Sequence, residues 1–540
     1  MSDARARASA STVRDELMAE YLRVSEQMLA TQREVMLAYL NDDTPDPEAA
    51  DERPVRRVRT LRLLEPADAT SSGSWLLVGR GPRVNELAAL LRSHGSAVRV
   101  ADDLSSPVVD VAGVLLTGPL SEAPRAALPD VHPHLTWALK SGVGRLVALT
   151  GGGTESDGLA GTLRALRLGH PHAQIRLVDI TDRAPEPTLL PEVATEVLRP
   201  ALPNPHTPPP APGAAPARGV VPTAGGVPAS REGTSVAADR AAEVTRWGGR
   251  WFRAEMTPQP ITGDPGSAAE LIREAGLEPG SVVLVSGGFH GVAADLVRDL
   301  ARAGCRVDLA GPTAPEPPAE APAPVSCEDE GDAETARDLA DLYAALARSG
   351  GLLPGAVDLQ AREALASRQV GQLLADLATT RTAEGHLADV VHHRLDTADE
   401  SEAVRLVKTV LADRGRLDLV VHVTGVTEHD RTFAGVYATE ARAARSLLNA
   451  LTESGTSGGS ATPTLGTVLL TTIDAPAEST IRAGQSALSD TLGRIGDRYA
   501  TTSGSRTVTI TCADASALAP LALLGELAHG EPHLTQVTYS

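Results

Sequence analysis

Residues 281–304 read SVVLVSGGFHGVAADLVRDLARAG. SVVLVS is an unbroken apolar run of strand length, and ADLVRDLARAG repeats leucine and valine at helical spacing. Between them Gly287, Gly288 and Gly291 make a glycine-rich turn from strand to helix. Such a turn is where a dinucleotide puts its pyrophosphate, because free backbone N–H groups and the helix dipole meet there. The stretch predicts the first strand–helix step of a parallel sheet covered on both faces.

The same alternation extends outward in both directions. Toward the C-terminus, CRVDLAG (305–311), DVVHHRLD (389–396), LDLVVHV (417–423), GTVLLTT (466–472) and TVTITC (507–512) read as strands, with helices at 401–413, 438–453 and 483–498. An insertion at 312–385 starts Pro/Glu-rich and continues as helix, including REALASRQVGQLLADLA. Toward the N-terminus, SWLLVGRG (74–81), VAGVLLTG (111–118), RLVALTGG (145–152) and QIRLVDI (174–180) are strands, and VNELAALLRSHG (84–95) is a helix. Between these blocks, residues 201–242 are Pro/Ala/Gly-rich and cannot bury enough surface to offset ordering entropy, so they read as a linker. EVTRWGGRWFRAEM (243–256) follows as two aromatic-bearing strands around Gly248-Gly249, a hairpin signal because both glycines tolerate positive φ. Residues 12–41 repeat Met18, Leu22, Leu29, Met36 and Leu40 at helical spacing, as a helix packed on its own domain or one that docks or dimerises. Residues 42–70 read as acidic and irregular.

The expected organisation is an N-terminal linker or docking helix (1–70), a first α/β unit (71–200), the linker (201–242), a hairpin connector (243–263) and a second α/β unit (264–540). Net charge is −20 with no basic run, which argues against nucleic acid, since phosphate binding needs clustered cations. The three cysteines (Cys305, Cys327, Cys512) are scattered without a CxxC pair, so no disulfide framework or zinc site is indicated. The first residues lead into charged helix and not an apolar signal core, and no stretch reaches membrane-span length, so a soluble cytoplasmic protein is expected.

VLVSGGFHGV (283–292), RLDTADE (394–400), LDLVVHVTGV (417–426) and TEARAARSLLNAL (439–451), in this order behind a hairpin, resemble the ketoreductase region of polyketide synthases. The glycine loop is most similar to that of polyunsaturated-fatty-acid-type synthases, as is the helical insertion. The resemblance implies two Rossmann-like, doubly wound parallel-sheet subdomains, a truncated structural one and a catalytic-type short-chain dehydrogenase one. It also implies NADPH as cofactor and, as partners, synthase components such as an acyl carrier protein or a ketosynthase subunit. No carrier-protein serine motif, acyltransferase elbow or ketosynthase cysteine motif occurs in the chain.

Reduction of a β-keto thioester needs a hydride and a proton for the developing alkoxide. The family supplies a Tyr as donor, a Ser to hold the carbonyl, and a Lys and an Asn that lower the Tyr pKa. Carried over by position, the Ser is Thr471 or Thr472, the Lys is Glu440, the Tyr is Ile481 and the Asn is Gln485. The only two lysines, Lys140 and Lys408, lie outside that helix, and neither Tyr437 nor Tyr499 is followed by Lys at the fourth position. On the cofactor side Ser286, Gly287, Gly288, Gly291, Asp396, His422 and Gly425 match the pattern, Phe289 and His290 fill its variable positions, and Gly311-Pro312 stands where a Gly-Arg pair would hold the 2′-phosphate. Asp308 lies inside its strand and reads as a core-edge carboxylate. His392-His393 have no third ligand at metal spacing, so no metal is expected. GGGTESDGLAG (151–161) resembles a phosphate loop but falls in the structural subdomain. Three functions follow: a catalytically impaired ketoreductase-like structural or docking component, an active NADPH-dependent β-ketoacyl reductase, or an NAD(P)-binding sensor without turnover.

Overall fold

The computed structural model describes residues 55–64, 73–104, 111–122, 128–151, 154, 157–180, 186–199, 243–247, 249–261, 267–287, 289, 291–316, 342–343, 346, 354–424, 432–456, 466–472, 480–512, 520–530 and 536–539. The helix expected at 12–41 and the linker at 201–242 lie outside them.

Residues 281–304 form β9 (Val282–Gly287) and α6 (Val292–Arg302), followed by β10 (Arg306–Gly311) parallel to β9. Val282, Val283, Leu284 and Val285 are all fully buried, which explains the unbroken apolar run: both faces of this strand are covered. The insertion helix α7 (Pro354–Thr379) comes next, then β11 (Val390–Arg394), α8 (Glu400–Arg414), β12 (Leu419–Thr424) and α9 (Phe433–Thr456). β13 (Gly466–Thr472), α10 (Thr480–Ser503), β14 (Thr507–Cys512), α11 (Pro520–His529) and β15 (Gln536–Tyr539) complete the half. Its strands are ordered β11-β10-β9-β12-β13-β14-β15, all parallel, so the order reverses beside β9.

The first half contains β2 (Ser74–Val78), α1 (Pro82–Ser93), β3 (Ala97–Ala101), β4 (Gly113–Leu116), α2 (Val131–Lys140), β5 (Arg145–Thr150), α3 (Leu159–Gly169), β6 (Gln174–Asp179), α4 (Glu186–Leu198) and β7 (Glu243–Trp247). Its parallel order is β7-β6-β5-β4-β2-β3, one strand fewer than the other half. The expected hairpin is present: β7 pairs antiparallel with β8 (Arg250–Pro258) in a register that sets Trp247 opposite Arg250, and Gly249 takes φ +75°. α5 (Ala268–Glu274), which leads into the second half, starts at a capping box between Ser267 and Glu270.

One expectation is corrected. Residues 56–63, read as irregular, form β1 (Arg56–Leu63), which pairs antiparallel with β15 on one side and β8 on the other. RRVRTLRL alternates only partly, and its arginines mask the pattern. Arg56 is buried because Glu526 and the Gln259 carbonyl satisfy its guanidinium. β1 and β8 join both halves into one sheet of 15 strands. Each face of each half carries its own apolar cluster, and Ala165 of α3 packs into a cluster of the second half. Two Rossmann-like α/β halves in one sheet are the architecture.

Candidate functional site

In open α/β sheets, ligands bind beyond the carboxyl ends of the strands at the point where strand order reverses. Here that point lies beside β9, between β10 and β12. Gly287 ends β9 with φ +106°, and a Cβ there would stand 1.8 Å from the Val423 carbonyl oxygen. Only glycine fits against β12. Gly291 caps α6 with φ +53° and has open space where a side chain would go, so its conformation and not its packing asks for glycine. Gly288, His290 and Gly425 lie outside the described residues.

Ser286 and His422 face each other across the β9–β12 register, the Ser286 hydroxyl 2.9 Å from His422 Nδ1. His422 is fully buried, and burial pushes it down to about 4, so the ring is neutral near pH 7. Its Nε2 has no hydrogen-bond partner among the described residues. Asp308 lies mid-strand and buried; it receives His393 Nε2 at 2.7 Å and Arg414 Nε at 3.1 Å, the core carboxylate read from the sequence. Asp396 is exposed after β11, where its carboxylate caps the turn by accepting from the Ala398 N–H at 2.9 Å. Among the described residues no cluster of metal-ligating side chains occurs.

Thr471 and Thr472 close β13, with Thr471 beside Thr424 on one neighbour and Thr511 on the other. Ile481 and Gln485 stand one turn apart at the start of α10, and Gln485 is buried with its Oε1 lacking a partner among the described residues. Glu440 lies in α9, half-buried, and burial pushes its carboxyl up to about 8, with the Asp396 charge adding to the effect. Lys140 and Lys408 are exposed on α2 and α8.

Tyr437 donates its hydroxyl to the Asp157 carbonyl at 3.1 Å and accepts from Thr491 Oγ1 at 3.3 Å. Burial raises its pKa, so the phenol stays protonated and held in place. Asp157 belongs to the glycine-rich stretch 151–161, and the structure gives that stretch a structural task. The Asp157 carboxylate is buried and receives Arg498 at 2.9 and 2.6 Å and Arg445 at 3.0 Å, while the Gly158 N–H donates to Asp490 at 3.1 Å. Gly161 lets α3 meet α10 at its backbone: a Cβ there would lie 1.8 Å from the Ser486 carbonyl oxygen. Sequence reasoning saw the glycines but not this joint, whose partners are hundreds of residues apart. Trp251 of the hairpin lies against the first half's core and donates its indole N–H to Glu192 at 3.2 Å.

Two Rossmann-like halves of this kind are bridged by a hairpin and one added strand, with a reversal point in the larger half. The chain has the fold of the ketoreductase domains of polyketide synthases. An A-type ketoreductase from a modular polyketide synthase superposes with TM-score 0.53 at 15% identity, covering 90% of this chain and 92% of that one. A C2-type ketoreductase from a modular polyketide synthase gives 0.51 at 19%, covering 90% and 94%. An N-terminal ketoreductase from the macrolactin assembly line gives 0.51 at 9%, covering 94% and 96%. No protein-family model matches the chain. No curated protein matches it either.

The residues fit NADPH only in part. Gly287 and Gly291 keep the turn on which a pyrophosphate would rest, and the Gly291 end of α6 offers the N-terminus. Against this, Pro312 follows β10 with neither a charge nor an N–H, and the ring of Phe289 covers Gly311.

Proposed function

We propose that this protein is a ketoreductase-like component of a polyketide or fatty-acid-like synthase that holds its place by structure and docking and not by reducing a ketone. The observation that supports the reading is that Tyr437, the phenol on the same helix as Glu440, donates its hydroxyl to Asp157, and the family resemblance, carried over by position, puts Glu440, Ile481 and Gln485 where Lys, Tyr and Asn would stand. Loss of a positioned acid alone slows such chemistry by about two to four orders of magnitude. A carboxyl in place of an ammonium, protonated or ionised, supplies no positive charge to lower the pKa of a phenol nearby. The partners this reading calls for are an acyl carrier protein or a ketosynthase subunit, as for a reductase placed within an assembly line.

The test is NADPH oxidation by the full chain with a β-keto thioester mimic. No turnover above background is expected, and measurable turnover would overturn the reading. One observation favours a second reading, an active NADPH-dependent β-ketoacyl reductase. Glu440 pushed up to about 8 is a carboxyl protonated at neutral pH, the state a general acid needs. The same assay decides, since that reductase would lose its turnover in Glu440→Gln.

A further inference from the structure

We propose that Phe289 closes the nucleotide cleft of this chain, its ring occupying the ground on which a dinucleotide's adenosine ribose would rest. In a strand–helix–strand unit the pyrophosphate lies at the helix N-terminus and the ribose over the carboxyl end of the second strand. Here those landmarks are Gly291 at the start of α6 and Gly311 at the end of β10. Phe289, in the loop between β9 and α6, spans the gap between them.

The ring is packed, not loose. Phe289 is 4% exposed and belongs to one apolar cluster with Val285 of β9, Leu309 of β10 and Leu373 of the insertion helix α7. Its edge is seated on Gly311: a Cβ there would lie 2.9 Å from Phe289 Cε2 and 3.4 Å from the Gly287 carbonyl oxygen. Its far side meets His392 of β11 edge-on, ring centroids 6.0 Å apart at 76°. Gly311, which the sequence pairs with the missing arginine, therefore has its own reason to be glycine: it is the floor under the ring. A ribose and the phenyl ring cannot share this ground. Nucleotide binding would first require the ring to leave the core, and apparent affinity falls in proportion to the fraction of molecules in which it has done so.

This deepens the proposed function by naming the group that keeps the cofactor out, and rests on that reading only for the position of the cleft. The test is titration of the full chain and of Phe289→Ala and Phe289→Val with NADH and with NADPH, followed by calorimetry. NADH is the primary probe because it needs no cation at Pro312. Phe289→Val keeps apolar filling while removing the ring, so one variant retains the fold if the other does not. The expected result is no saturable binding by the wild type at millimolar nucleotide and a gain of at least about tenfold in NADH affinity in the variants. Saturable NADH or NADPH binding by the wild type, or folded variants that gain nothing, would overturn the proposal. Wild-type binding without turnover would remove the closed cleft and leave the proposed function standing.

Discussion

Half-buried Glu440 and fully buried His422 lie in the same half with opposite consequences for stability. Burial raises the Glu440 carboxyl from 4.5 to about 8, so its contribution is full below pH 4.5 and lost as pH rises through about 8. His422 is depressed from 6.5 to about 4, so its contribution is present above pH 6.5 and lost as pH falls through about 4. The urea midpoint of the wild type should therefore carry a declining contribution between about pH 4.5 and 8, and Glu440→Gln should flatten that decline; a variant with the wild-type slope would show that another group sets it. The two described loop glycines should also differ. Gly287→Ala drives a methyl into the Val423 carbonyl, and overpacking of this kind costs about 1–3 kcal/mol, here toward the upper end. Gly291→Ala meets open space and strains only φ, so the smaller loss of the two is expected in chemical denaturation.

The elements show which parts of the molecule local sequence could reveal. β9 announces itself because a strand covered on both faces is apolar over Val282–Val285, and β10, β12 and β14 are read from their buried Val, Leu and Ile despite the polar residues among them. β1 does not, because arginines occupy half its positions and its neighbours, β15 and β8, lie at distant points in the chain. The glycine loop was legible as a loop, but the place of Phe289 was not, since nothing local says that a ring will settle on Gly311. Tyr437 and Asp157 are 280 residues apart, so no motif joins them. Their joint makes a prediction for the α3–α10 contact. Gly161→Ala would separate the helices where their backbones touch, and should lower thermal stability and expose the 151–161 stretch to limited proteolysis. Asp157→Asn should cost about 1–3 kcal/mol, less than a wholly buried pair, because Arg445 and Arg498 retain access to water.

At the scale of the whole molecule, the halves depend on each other through β1, β8 and the α3–α10 contact. Residues 264–540 produced alone would bare the β15 edge and the face of α10 that α3 covers. Exposed edges pair with other chains, so this fragment should self-associate in sedimentation while the full chain does not expose that edge. Between β15 and β7 the chain direction reverses three times, at β15–β1, β1–β8 and β8–β7. An odd number of reversals turns the six-stranded block upside down relative to the seven-stranded one. The loops that follow the strands of one block thus open toward the opposite rim from those of the other. Lengthening a loop on either rim leaves its counterpart untouched, and a macromolecule seated on one rim would leave the other free for a second guest.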